Sequence, residues 1–429
     1  MKNQKAILGL GTAISIIIGT VIGSGIFLTP SNVVAAAPSP FWSMSIWIVA
    51  GIISFLGCLI FSELAIKFPD SGGQYIYLFE CFGPLTAYLY GWTLITVIQT
   101  GSIAAEASVF AQFSSGLFGA NFLNLKILAS LIIVGFTALN IFGLKKAAEA
   151  LDFLTILKLL TLLFIPLSIF FFFKDSPPGA NEFSNTHLDS IHLGNFGVGL
   201  IAAFWAYDGW NSLGYVAGDL KNPKRHIPLA TLGGMVIVIF FYLAMNWAYQ
   251  SVLTPSEIAA SQNLASEVMT RAFGHSGGVA IAIAVIIATL GSTNAFIIAG
   301  SRIIQAMAEK GGLPKAFVNS TNAFLLQMLW SLLLLFSGRF DQLFTAVIMV
   351  SFLFYGLTAA GLIIIRKKQK SSDSEFKISL LIPAFYVLFC LFFTINSMVE
   401  KPKESLLGVG LSLLGIPAFY FFRPRQRPD

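Results

Sequence analysis

A glycine pair inside an apolar run is the strongest chemical signal in this chain of 429 residues. In Thr20-Val-Ile-Gly-Ser-Gly-Ile-Phe27, Gly23 and Gly25 weaken a helix and bare its backbone. In hydrocarbon such a break persists only where the freed N–H and C=O groups meet protein, water or a ligand. A second interruption, Asp208-Gly209, lies between aromatics in Phe204-Trp-Ala-Tyr-Asp-Gly-Trp210. An interrupted helix offers partly positive N–H groups where its second half starts and partly negative carbonyls where its first half ends. Two facing breaks could therefore hold a carboxylate on one and an ammonium on the other. That arrangement fits a zwitterionic α-amino acid, with amines and peptides as alternatives.

Four ionisable side chains also require an account. Lys158, in Leu154-Thr-Ile-Leu-Lys-Leu-Leu-Thr-Leu-Leu163, lies well inside an apolar run. A central lysine costs about 2.5–3.5 kcal/mol to insert. It either snorkels to the edge or faces the bundle interior, held by bared carbonyls and hydroxyls or exchanging its proton. Asp208 either faces a water-filled vestibule and a polar partner, or caps freed N–H groups at a helix end. Glu106 is a weaker candidate, expected near the outer mouth, and Glu63 is expected to pair with Lys67 at i,i+4. Cys58, Cys81 and Cys390 have no metal or redox spacing, and His187, His192, His226 and His275 fall in or near loops. With no nucleophile or metal motif, an intramembrane enzyme is disfavoured, and no metal or other cofactor is expected.

The elements positioning these groups follow from composition. The chain is 56% hydrophobic and 11% charged, with a mean hydropathy of +0.80, whereas soluble domains are about 25% charged. Lipid is the implied solvent, and the spans lack the alternation of a β-barrel. Runs of membrane-crossing length fall near 7–34 (broken), 42–66, 84–114, 127–143, 148–173, 195–218 (broken), 229–251, 278–307, 323–338, 342–365, 378–398 and 405–422. These runs predict an all-α polytopic membrane protein with 12 transmembrane helices. With the N-terminus inside, 19 of the 26 Lys and Arg residues lie on the inner side and 6 on the outer, as the positive-inside rule requires. Both termini are then cytoplasmic. The net charge of +6 reflects topology and anionic lipid, with no need of nucleic acid.

Four segments resemble the amino acid–polyamine–organocation (APC) superfamily and, within it, the L-amino acid transporter family. They are Gly19-Thr-Val-Ile-Gly-Ser-Gly-Ile-Phe-Leu-Thr-Pro30, Phe68-Pro-Asp-Ser-Gly-Gly-Gln-Tyr75 with Phe82-Gly-Pro84, Ala206-Tyr-Asp-Gly-Trp-Asn211 with Asp219–Pro228, and Ser301-Arg302 with Ala306–Pro314. The resemblance implies a LeuT-type fold with a 5+5 inverted repeat, residues 1–173 and 195–366, followed by 367–429 carrying the last two spans. It implies that Val21, Gly23, Ser24 and Gly25 hold a substrate carboxylate, and that carbonyls of Trp205, Ala206 and Asp208 meet the amino group. Trp205 stands where relatives carry a gating aromatic, usually Phe. Lys158 matches a lysine found where sodium-coupled relatives bind sodium. Tyr242, Asn246, Ser292 and Asn294 are expected to line the site. The segment Ser115–Leu125 lacks the cysteine by which animal members bond a glycoprotein heavy chain, so a bacterial-type chain without that partner is expected. The function so implied is sodium-independent secondary transport of neutral L-amino acids in the cell membrane, by exchange, uniport or proton symport. The alternatives are a polyamine or cationic amino acid carrier, or a non-transporting amino acid sensor.

Overall fold

Long apolar runs punctuated by glycine and proline become helices whose ends coincide with those residues. In the computed structural model, which describes residues 7–37, 39–118, 124–173, 192–337, 344–368 and 376–422, Pro40, Pro84, Pro223 and Pro402 each begin a helix. Proline suits this first position because it has no N–H to leave unpaired. Lys2, Lys5, Lys174, Arg339, Lys370, the arginines from Arg423 onward, and His187 lie outside the described residues.

Among the described residues, eleven helices are long and apolar enough to cross a membrane. Pro40–Lys67, Leu125–Phe142, Leu144–Phe172, Pro223–Val252, Ser320–Ser337, Phe344–Lys368 and Leu381–Glu400 follow the expected spans closely. The eighth is longer than expected: Leu264–Glu309 begins ahead of the predicted span and runs through a kink at Gly274, where φ is +63°. The protein is thus an all-α, multi-pass membrane protein.

Both predicted interruptions are present. The first span is divided into Leu10–Val21, Gly25–Leu28 and Pro30–Ala36. The sixth is divided into Leu193–Tyr207 and a 3₁₀ segment, Trp210–Asp219. Leu8 and Leu220 form an isolated parallel bridge that ties the N-terminal end of the first span to the C-terminal end of the sixth. The first span packs against the fifth, seventh and eighth, and the third packs against the eighth.

The third span holds a feature absent from the hydropathy pattern. Between Pro84–Thr93 and Gln99–Phe118, residues Leu94–Ile98 form one π turn, and the Thr100 hydroxyl donates to Ile95 O, five residues back, at 2.7 Å. Such bulges are rare and cluster at functional sites.

Surface chemistry sorts the fifth span into two faces. Phe153, Ile156, Leu160 and Phe164 are exposed, as lipid-facing residues should be, while Leu151, Thr155, Lys158, Leu162 and Ile165 face inward. The period is helical, and it places Lys158 on the buried stripe.

Candidate functional site

The two breaks lie against each other because glycine permits it. A Cβ on Gly25 would come 2.8 Å from Ala206 Cα, and one on Gly209 would come 2.7 Å from Thr20 O. Gly209 also adopts φ +103°, a left-handed conformation that other residues adopt only at a cost. The Thr20 hydroxyl sits 3.0 Å from Gly209 O. The Tyr242 hydroxyl lies 2.8 Å from both Val21 O and Ala206 O, so one side chain bridges the carbonyl ends of both interrupted helices.

Lys158 does not snorkel. It is 0% exposed. Its ammonium donates to Ile22 O, to Gly19 O at 3.4 Å and to Ser292 Oγ at 3.1 Å. Ser292 Oγ in turn lies 2.9 Å from Ile22 O. The Lys158 amino group therefore sits at the first break among carbonyl and hydroxyl oxygens, whose dipoles favour its protonated form.

Glu106 departs from the expectation of an outer-mouth position. Its carboxylate reaches the first break and accepts from the Ser24 N–H at 3.0 and 3.1 Å and from the Ser24 hydroxyl at 2.9 Å. Asp208 has a hydroxyl partner, since Tyr355 donates to its Oδ1 at 2.6 Å. A cavity of about 30 Å³ lies between the breaks, lined among others by Val21, Gly23, Gly25, Ser102, Trp205 and Phe296. That volume accommodates roughly two waters.

Ten of the twelve expected residues thus meet at or around the breaks: Val21, Gly23, Ser24, Gly25, Lys158, Trp205, Ala206, Asp208, Tyr242 and Ser292. Asn294 faces elsewhere, accepting from Asn140 Nδ2 at 2.9 Å and donating to Ala147 O at 2.9 Å. Asn246 bonds within its own helix, to Tyr242 O. The third-span residues Ser102, Ala105 and Glu106, together with Phe296 and Tyr355, complete the surroundings without having been singled out as a group. Their i, i+3, i+4 spacing on one helix face was the available signal. Glu63 also differs from expectation: it pairs with Arg366 and accepts from the Ile378 N–H at 3.1 Å, while Lys67 makes no ion pair with it. The forked guanidinium satisfies both carboxylate oxygens of a fully buried residue, which a lysine does less well.

Two apposed broken helices, a buried cation behind one of them and a bundle of apolar spans define a LeuT-type membrane transporter fold. Comparison with known proteins gives the family. The family model described as amino acid permease matches residues 8–416, and the chain belongs to that family, within the APC superfamily. It is 32% identical over 435 residues to the large neutral amino acids transporter small subunit 2 of Mus musculus, covering 97% of this chain and 81% of the relative. It is 30% identical over 431 residues to the b(0,+)-type amino acid transporter 1 of Mus musculus, covering 97% and 88%. The serine/threonine exchanger SteT of Bacillus subtilis (strain 168) is 28% identical over 437 residues, covering 99% and 98%.

Proposed function

We propose that this protein carries neutral L-amino acids across the cell membrane by alternating access, without sodium. The observation carrying this reading is the pair of apposed breaks with Lys158 behind one of them. The relatives named above are amino acid transporters by name, one of them an exchanger.

The substrate carboxylate would take N–H groups of the break at Val21, Gly23, Ser24 and Gly25. Its ammonium would take carbonyls of Trp205, Ala206 and Asp208. Both sets converge on the same cavity, whose remaining walls, Ser102, Ala105 and Phe296, would meet the side chain. The cavity is too small for an amino acid as it stands, so a binding-competent state requires it to widen. Lys158 places its amino group among oxygens that could otherwise coordinate a metal ion, which disfavours sodium coupling. Tyr242, bridging both carbonyl ends, would couple movement of one break to the other.

In this reading the split sixth span completes twelve crossings. Residues 1–173 and 195–366 form the inverted repeats and 367–429 follow, both termini are cytoplasmic, and no disulfide-linked heavy chain is needed. The protein performs no covalent chemistry. The test is uptake of labelled amino acid into proteoliposomes, with and without internal amino acid, a sodium gradient or a pH gradient. Competition among the twenty amino acids identifies the substrate, and exchange is expected to require internal amino acid. Uptake driven by sodium alone, or uptake of polyamines in preference to neutral amino acids, overturns the reading.

A further inference from the structure

One of the donors assigned above to the substrate's carboxylate, the Ser24 N–H, is already engaged by one of the protein's own. Glu106 is 7% exposed, and its two oxygens take the Ser24 N–H while one also takes the Ser24 hydroxyl. A Cβ on Gly23 would collide with this carboxylate, so the bare backbone at Gly23 is what admits the third-span side chain to the break. The Ser24 N–H cannot serve two carboxylates in a medium of low dielectric, where like charges at contact strongly repel.

We propose that Glu106 is a tethered occupant of the carboxylate subsite, seated on Ser24 while the site is empty and yielding it to the substrate's carboxylate. This rests on the amino acid reading above. Lys158 bonds a neighbouring carbonyl of the same backbone segment, Ile22 O. The break is therefore contacted by a basic side chain at Ile22 and an acidic one at Ser24. A zwitterionic substrate brings its own ammonium with its carboxylate, so the site gains no net charge when Glu106 yields Ser24 and stays tethered beside it. Ser102 and Ala105, small residues on the same face of the third span, line the cavity beside Glu106, so the widening that admits a substrate also gives the displaced side chain room to retire. Glu106 is accordingly a specificity-determining residue. A ligand must bring a full carboxylate to displace it, because a neutral acceptor bonds the same N–H more weakly.

The experiment measures binding to the purified full-length protein by calorimetry, for L-leucine and L-serine and for their decarboxylated counterparts, isoamylamine and ethanolamine. In Glu106→Ala the Kd of the amino acid that binds is expected to fall about tenfold, and in Glu106→Gln severalfold, with both amines unchanged within about twofold. A purely structural or ammonium-binding Glu106 gives the opposite sign, so weaker or unchanged amino acid binding in a monodisperse variant overturns the proposal. Should Glu106→Ala fail to fold, Glu106→Gln decides by the same criterion. If neither amino acid binds the wild type or either variant, the amino acid reading itself falls, and the inference with it.

Discussion

The two helix breaks solve one problem with different materials. At the first, Lys158, Ser292 and Glu106 arrive from three other spans, and two of them are ionisable. At the sixth, the contacts are hydroxyls and close approach: Thr20 beside Gly209, Tyr242 beside Ala206, Tyr355 on Asp208. Charged groups can exchange one counter-ion for another with little rearrangement of the backbone, whereas a glycine pressed against a neighbouring carbonyl cannot give way by degrees. The first break is thus built for swapping partners and the sixth for fixed geometry. Both satisfy backbone groups that lipid would leave unpaired.

Removing the cation tests the first half of this contrast most severely. Lys158→Ala leaves Gly19 O without its donor, at about 1–3 kcal/mol, and Ile22 O with only the Ser292 hydroxyl, so transport is expected to fall about a hundredfold while gel filtration still shows a folded monodisperse protein. Flux equal to wild type would mean that the charged break needs no charge. Gly209→Ala tests the second half. The left-handed conformation costs about 1–2 kcal/mol for a residue with a Cβ, before the collision with Thr20 O is counted. A lowered melting temperature and a loss of transport of about tenfold or more are expected, and a neutral outcome would dissolve the idea of a rigid sixth break. Tyr355→Phe sharpens the comparison by removing one donor to Asp208, worth about 1.5–3 kcal/mol for a charged acceptor. Uptake assays should show about a tenfold loss, smaller than for Lys158→Ala.

The smallest effect belongs to a site remote from both breaks. At the short helix Pro255–Ala260, Glu257 and Thr254 form a reciprocal capping box. Hydrogen bonding from Arg271, then from Thr254, holds the Glu257 carboxyl down at about 2. A depressed carboxyl stabilises the fold above its unfolded value of about 4.3 and loses that contribution as pH falls through the folded value. Amide-exchange protection over residues 254–260 should therefore decline as pH drops from about 4 toward 2, with transport in re-neutralised samples unaffected. Decline already between pH 7 and 5 would contradict the assigned pairing.

What could be read in the sequence followed from local rules. Apolar length marked the spans, glycine marked both breaks, and the cost of a charge in lipid marked Lys158. What escaped was long-range. The Ser24–Glu106 contact joins residues 82 apart, and nothing in either segment announces the other. Glu63 illustrates the same limit: i,i+4 arithmetic pointed to Lys67, but Arg366, 303 residues away, makes the bidentate pair. Asn294 erred in the other direction, since a polar residue in a span bordering the site can still spend both ends of its amide elsewhere, here on Asn140 and Ala147.

The π turn at Leu94–Ile98 carries a consequence for insertions and deletions. A π turn accommodates one residue more than the α turn it replaces, so a helical wheel drawn from Pro84 straight through it assigns every later residue to a face about 100° away from its actual one. Glu106 lies beyond that point. The turn therefore acts as a phase adjuster. Deleting one residue within 94–98 should relax it to a plain α turn, with both flanks still facing as they do now. Deleting one residue between 99 and 105 should instead rotate Glu106 off the break. Of two single-residue deletions a turn apart, one is expected to leave transport largely intact and the other to abolish it.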